Sequence, residues 1–396
     1  MPTMPARLPS ASLPPPLRGP VVAALMAVAA AMAPQDVQAA KAHEGRPQAI
    51  ASKPAEAKAV RRAKGPAATT PAGTPLADLP ALHPFALAVA ARHGLPEDWV
   101  HAQLADARSL PRVRQLIMPP PAGTAKNWAA YRERFIEPRR IAQGVAFWQR
   151  HQAWLERAEQ RWGVPAEIVV GILGVETLYG QHMGGFRALD ALATLAFDFP
   201  PGRRDRSDFF RGELEELLVL AHREGVPAGS LRGSYAGAIG WPQFMPGSIN
   251  RWAVDFDEDG HVDLRGSPAD AIGSVAHYLA AFGWVQGMPT HFEVAAPVEA
   301  ADRAALLLPD ILPSFTAAQF AERGAGLPPA AQAHDGLLAL VELQNGPAAP
   351  SYVAGTRNFY AVTRYNWSSY YAMAVIELGA AVRAAIRPPS APGSRG

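Results

Sequence analysis

The sequence predicts a mainly α protein. Three observations carry that prediction. Apolar residues recur at helical spacing through most of the chain from Leu79 onward, glycines and prolines punctuate those stretches, and strand-like runs are confined to the less regular region 288 to 350. The 396 residues are 49% hydrophobic and 18% charged, which suffices for a large core in one or two domains. The net charge of +2 is too small to argue for nucleic acid as a partner. There is no cysteine, which excludes a disulfide, a thiol nucleophile, a cysteine-held metal and lipidation on cysteine.

Taken in order, residues 1–39 read as a secretory signal peptide or an N-terminal anchor. Arg7 and Arg18 precede the apolar run "VVAALMAVAAAMA", which is shorter than the about 20 residues a bilayer span requires, and small residues follow it. Residues 40–78 are rich in Ala, Pro and Lys with almost no large apolar side chain, so they read as a disordered basic linker. Periodicity begins at Leu79, and "HPFALAVAARHGLPEDWVHAQLADA" predicts two short helices divided at Gly94 and Pro96. "GVAFWQRHQAWLERAEQRWG", 144 to 163, predicts a helix with aromatic residues at mixed spacing, ending on Gly163. Pro165 suits the first turn of the next helix. "RALDALATLAFDF", "DFFRGELEELLVLAHREG" (closing on Gly225), "PADAIGSVAHYLAAFGW" and "YYAMAVIELGAAVRAAI" predict four more. "THFEVAAPV" and "LLALVEL" read as strands of a small accessory element. Residues 79–388 are therefore expected to form one globular unit with lobes, and 389–396 a disordered tail.

One carboxylate stands out. Glu176 closes a run of Ile168, Val169, Val170, Ile172, Leu173 and Val175 that holds no other acid. A carboxylate on such a face loses hydration, its pKa rises, and it can hold a proton near neutral pH and serve as a general acid. An exposed or arginine-paired helix-end glutamate fits the same stretch. Tyr179, three residues on, is expected on the same face, with Gly180 stopping the helix.

Three further segments carry chemistry. "GSYAGAIGWPQFMPGS", 233 to 248, combines small residues with Tyr235, Trp241, Gln243 and Phe244, which suits the floor of a sugar site and equally a packed loop. In "DFDEDGHVDL", Asp255, Asp257, Asp259, Gly260 and Asp263 fall at positions 1, 3, 5, 6 and 9 of a calcium-binding EF-hand loop, and His261 would offer its backbone carbonyl. The closing glutamate expected at position 12 is replaced by Gly266, and Asp270 is available to close the site instead. A solvated acidic turn reads the same way. "RYNWSSYYAMAV" crowds Tyr365, Asn366, Trp367, Tyr370 and Tyr371 ahead of an apolar helix.

Together "GVETLYG", "ALDALATLAFDFP", "FFRGELEELL", "GSYAGAIGWPQFMPGSINRWAVDFDEDGH", "DAIGSVAHYLAAFGW" and "RYNWSSYYAMAV" resemble the B-type lytic murein transglycosylases of bacterial cell walls, over roughly residues 79 to 386. The resemblance implies a lysozyme-like α-rich catalytic core with additional α and small α/β lobes. It implies cleavage of the β-1,4 bond between N-acetylmuramic acid and N-acetylglucosamine in peptidoglycan, leaving a 1,6-anhydromuramoyl end. Glu176 matches the family's single catalytic acid and base. Tyr131, Ser234, Gln243, Phe244, Tyr278, Tyr365, Asn366 and Tyr371 match residues that line the site, contact the sugars or hold the glutamate. Arg204 or Arg206, in a segment whose length departs from the family pattern at "PPGRRDRSDFF", is implied to meet the peptide stem, with Arg203 equally placed. Calcium ligands are implied at Asp255, Asp257, Asp259, His261 (backbone) and Asp270, the ion being structural and no cofactor being needed for catalysis. Implied partners are glycan strands and proteins of wall synthesis or division, in the periplasm. Two alternatives stay open on sequence: a hydrolytic muramidase using Asp190 or Asp198 as a second carboxylate, and a non-catalytic wall-binding protein.

Overall fold

The computed structural model describes residues 73–119, 126–202 and 204–386. The predicted signal or anchor, most of the predicted linker, Arg203 and the predicted tail lie outside the described residues. The globular unit starts earlier than the periodicity indicated. Strand β1 (Thr74–Pro75), β2 (Arg108–Ser109) and Leu76 show why: β1 pairs antiparallel with β2, and Leu76 is buried. The predicted linker boundary at residue 78 is thus late, because one strand pairing and one apolar anchor do not register as a periodic pattern.

Helices α1 (Leu82–His93) and α2 (Glu97–Ala105) divide where predicted. Gly94 takes the left-handed conformation (φ 64°) and Pro96 is extended. Next come α3 (Pro111–Leu116), α4 (Trp128–Glu133), α5 (Pro138–Arg150) and α6 (Gln152–Trp162). The stretch 144–163 was expected to be one helix, and it is two. The backbone breaks at His151 (φ −116°, ψ 22°), which ends α5 and begins α6. Aromatic contacts fall on either side of the break. Phe147 of α5 packs against Trp241 at 5.8 Å, whereas Trp154 and Trp162 of α6 pack on Phe256 at 5.6 and 5.2 Å.

The central helix is α7 (Ala166–Thr177), in which ten of twelve residues are buried, so its apolar character runs all round. Pro165 lies just outside it as an extended residue. Helix α7 packs on α16 (Ser369–Ile386) so closely that a Cβ added at Gly171 would lie 2.2 Å from the Val375 carbonyl oxygen. Among the described residues α16 is the one helix long and apolar enough to cross a membrane; half of it is buried inside the protein, against α7 and the rest of the core.

Between these two helices in sequence, β3 (Phe186–Arg187) pairs with β4 (Arg232–Gly233) and frames α8 (Ala188–Phe197) and α9 (Ser207–Arg223). Then follow α10 (Pro246–Trp252) and α11 (Pro268–Ala281). The region 288–355 forms a small α/β lobe. Its strands β5 (His291–Glu293), β6 (Ala339–Asn345) and β7 (Ala348–Gly355) make an antiparallel sheet in the order β5-β7-β6, beside α12 (Ala300–Leu307), α13 (Ala317–Glu322) and α14 (Pro329–Gln332). Strand β6 reads as a near-continuous apolar run because both its faces are covered. Leu340 joins a second core with Leu306 and Phe320, while Val341 and Leu343 join the main core. Strand β7 was not anticipated: its first half, "AAPS", is exposed and carries a proline. Helix α15 (Arg357–Thr363) returns the chain to α16.

Candidate active site

Glu176 is the penultimate residue of α7 and is half-buried. Its Oε1 accepts a hydrogen bond of 2.7 Å from the Tyr371 hydroxyl at the start of α16. Burial pushes the Glu176 carboxyl up to about 7, and the Tyr371 hydrogen bond opposes that rise by favouring the charged form. The groups that feel its charge are hydroxyls: Tyr131 of α4, Tyr365 and Tyr371 are each pushed upward, first by burial and then by Glu176. The sequence expectation of a desolvated glutamate therefore holds, and among the described residues no arginine pairs with it.

Behind Tyr371 stands a buried aromatic column. Tyr371 stacks on Tyr365 (6.2 Å, 14°), which meets Tyr278 at 5.0 Å and Phe244 at 5.6 Å. The Tyr365 hydroxyl donates to the Pro242 carbonyl (2.6 Å) and the Tyr278 hydroxyl to the Arg364 carbonyl (2.7 Å). Phe244, Tyr278, Tyr365 and Tyr371 are all under 8% exposed. The resemblance implied that these residues contact sugars or hold the glutamate; of the four, Tyr371 is the one bonded to Glu176, and the other three pack behind it. Asn366 is buried next to this column.

The 233–248 segment is a packed loop whose buried polar groups bond to backbone. The Ser234 hydroxyl accepts from Ala238 N (3.1 Å) and closes its own turn. Gln243, at φ 51°, donates from Nε2 to the carbonyls of Gly240 (2.8 Å) and Met183 (3.3 Å), tying this loop to the segment after α7. Thr177, which the sequence reading passed over, and Trp241 complete that tie. Thr177 Oγ1 donates to the Trp241 carbonyl (2.9 Å) and accepts from Gly180 N (3.0 Å), and Trp241 Nε1 donates to the Arg265 carbonyl (2.9 Å). The available signal for Thr177 was its position: a hydroxyl directly after the glutamate, at a helix end with unpaired carbonyls.

Tyr179 is a correction. It was placed on the Glu176 face by helical spacing, but α7 ends at Thr177, and Leu178 and Tyr179 both adopt positive φ. That turn sends the Tyr179 ring away, onto Phe147 of α5 (5.4 Å, 24°).

In the acidic loop, carboxylate oxygens of Asp255, Asp257 and Asp259 lie within 4.8 Å of one another. Gly260 takes the turn at φ 95°, and the buried Asp257 Oδ1 has no hydrogen-bond partner among the described residues. These features fit an oxygen-liganded cation such as calcium. Asp270 is not part of that group of three. It is buried at the start of α11, and its two oxygens accept from Phe256 N and Asp263 N, both 2.7 Å, so it closes the loop through backbone amides. Asp263 likewise accepts from Arg265 N and Gly266 N. His261 is exposed in this loop.

Arg204 is exposed, and Arg206 is half-buried with its guanidinium over Phe209 (4.5 Å). Neither is brought to Glu176 by any described contact. Asp190 and Asp198, the two candidates for the second carboxylate of a hydrolytic enzyme, are engaged elsewhere. Asp190 accepts from Arg108 N (3.0 Å) beside Arg187, and Asp198 bonds Ser109 (2.5 Å) and Arg114 (3.3 Å).

Comparison with known proteins places this geometry in context. The family described as Transglycosylase SLT domain matches residues 79–380. The membrane-bound lytic murein transglycosylase B of Escherichia coli (strain K12) is 42% identical over 300 residues, 74% of this chain and 79% of that protein. The E. coli lytic transglycosylase Slt35, in complex with calcium, is 38% identical with a TM-score of 0.67, over 79% of this chain and 96% of that one. Pseudomonas aeruginosa SltB3, in complex with NAG-anhNAM-pentapeptide, is 31% identical with a TM-score of 0.63, over 76% of this chain and 78% of that one.

Proposed function

The chain belongs to the transglycosylase SLT domain family, is a peptidoglycan lytic transglycosylase, and we propose that Glu176 is both the acid and the base of its reaction. The single observation that carries the proposal is a half-buried carboxyl held near neutrality by desolvation and contacted by one tyrosine hydroxyl. Protonated Glu176 donates to the glycosidic oxygen as the bond to the muramoyl C1 breaks, with the N-acetyl group assisting. The sugar's C6 hydroxyl then bonds to C1, and the Glu176 carboxylate takes the hydroxyl proton. The proton count closes, no water is consumed, and the product carries a 1,6-anhydro ring. Ordinary glycosidases divide the work between two carboxylates; an intramolecular nucleophile removes the need for the second. The anhydro sugar in the ligand of the SltB3 relative supports this outcome.

Tyr131, Ser234, Gln243 and Asn366 are proposed to border the bound glycan, with Phe244, Tyr278, Tyr365 and Tyr371 holding the glutamate behind it. Arg204 or Arg206 is proposed to meet the peptide stem. A calcium ion held by Asp255, Asp257, Asp259 and the His261 carbonyl, with Asp270 closing the loop, would stiffen the segment between α10 and α11; the calcium complex of Slt35 supports it. The substrate locates the enzyme in the cell envelope. Export to the periplasm through residues 1–39, and recruitment by proteins of wall synthesis or division, are further proposals that rest on the sequence.

Mass spectrometry of fragments released from isolated peptidoglycan tests the reaction. Anhydromuramoyl ends, lighter by one water, are expected; reducing muramic acid ends would replace the proposal with hydrolysis.

A further inference from the structure

Helix α7 stops in an unusual way. Helices commonly end on a glycine in the left-handed region. Here two residues with side chains, Leu178 (φ 51°) and Tyr179 (φ 55°), take that conformation in succession, directly after Glu176 and Thr177. Such backbone is disfavoured and persists only where its surroundings enforce it.

The enforcing contacts come from α5. Gly144 of α5 and Gly174 of α7 leave a slot for the Tyr179 hydroxyl; a Cβ on either would lie 2.4 or 2.6 Å from that oxygen. Arg140, one turn earlier on α5, donates from Nη1 to the Gly174 carbonyl, in the last turn of α7. The Arg140 Nε and the Tyr179 hydroxyl are buried without a hydrogen-bond partner among the described residues. Burial lowers the Arg140 pKa, and the charged or ionisable groups acting on it are Tyr179, Glu137 and Arg139. The Phe135 ring lies 5.2 Å from its guanidinium. Helix α16 closes the junction, with Val382 against Gly144 and Leu378 against Gly174, and the same helix carries Tyr371.

We infer that Arg140 is a positioning residue for the reaction: by tying the Gly174 carbonyl in the last turn of α7 to α5, it keeps Glu176 on its hydrogen bond to Tyr371. The inference rests on the assignment of Glu176 as the acid. Arg140 does not touch substrate in this account. It acts through the helix end, where a small displacement of the acid is costly in rate. The ionisable groups facing Glu176 are Tyr131 from α4, Tyr365 from the segment before α16, and Tyr371 from α16. Of these, Tyr371 is the one that donates to the carboxylate. If the tie is cut and the Tyr371 bond lengthens, desolvation acts unopposed and the Glu176 pKa rises further.

The test is kinetics on solubilised glycan strands with Arg140→Met, Tyr371→Phe, their double variant and Glu176→Gln. Arg140→Met is expected to lower kcat by about ten- to a hundredfold with KM little changed. Its alkaline activity limb should move to higher pH, in the same direction as in Tyr371→Phe. The double variant should lose less than the product of the single losses, because both changes remove one contact. Arg140→Lys keeps the cation but not the planar fork, and should recover part of kcat. A wild-type alkaline limb in Arg140→Met, or losses that multiply, would overturn the inference. If Arg140→Met does not fold, Arg140→Lys decides: a wild-type kcat and limb overturns it. Activity in Glu176→Gln would bring down the assignment of the acid itself, whereas an inactive Glu176→Gln with an unmoved Arg140→Met limb brings down this inference alone.

Discussion

Glu176 and the Asp255–Asp259 cluster use the same chemical group in opposite surroundings. Glu176 is a lone carboxylate at the end of an apolar helix, contacted by a tyrosine hydroxyl and raised toward neutrality by burial. The three aspartates are half-buried or exposed, crowd within 4.8 Å, and are joined by backbone amides such as Asp259 N and Gly260 N on Asp255. A desolvated carboxyl with no cation nearby is suited to carrying a proton. Several crowded carboxylates that repel one another are suited to sharing a cation. The residue type sets neither role; the number of neighbours of like charge and the access of water set both.

The largest effect that would break this contrast is loss of the proton carrier. Glu176→Gln keeps the shape and can still accept from Tyr371, but it cannot donate and recover a proton. Release of fragments from peptidoglycan should fall by about a thousandfold or more, with glycan binding retained. Turnover near wild type would remove Glu176 from the mechanism.

The same variant sharpens the contrast through stability. A carboxyl raised from 4.5 to about 7 favours the folded state fully below its unfolded value, and that contribution is lost as pH rises through the folded value. Glu176→Gln should therefore unfold at the same denaturant concentration as wild type below about pH 4, and be more stable than wild type at pH 8. The gain is at most about 3 kcal/mol, and less with partial solvation of the site. An equal gain at both pH values would show that packing, not desolvation, is responsible.

The smaller effect belongs to the loop. With calcium at a hundred times its dissociation constant, wild type should gain about 2.7 kcal/mol of stability. Asp257→Ala should abolish that gain while leaving the alkaline activity limb where it is. Thermal melts with and without a chelator read the first part, and a calcium-dependent rise in Tm that survives the substitution would exclude the cluster as the site.

Much of this was legible because local pattern and tertiary role coincide. The apolar run to Glu176, the Gly94 and Gly225 helix stops and the acidic spacing from Asp255 are short-range signals with direct physical readings. The failures share a cause. The break at His151 leaves no mark in the local aromatic spacing, Tyr179 leaves its expected face because α5 holds a slot for it, and the exposed first half of β7 offers no hydrophobic pattern to read. Asp270 turned out to clamp backbone amides because α11 buries it, which spacing within the loop does not reveal.

The sequence by itself determined the helical class, the lone glutamate of the apolar run, the acidic loop and the family, since each is encoded in residues close together in the chain. Only the tertiary structure decided that Tyr371, 195 positions away, would be the hydroxyl on Glu176, and that Phe244, Tyr278 and Tyr365 would brace it from behind. Those pairings depend on how α5, α7 and α16 pack. Packing is a property of which surfaces meet, and no local stretch of sequence carries it.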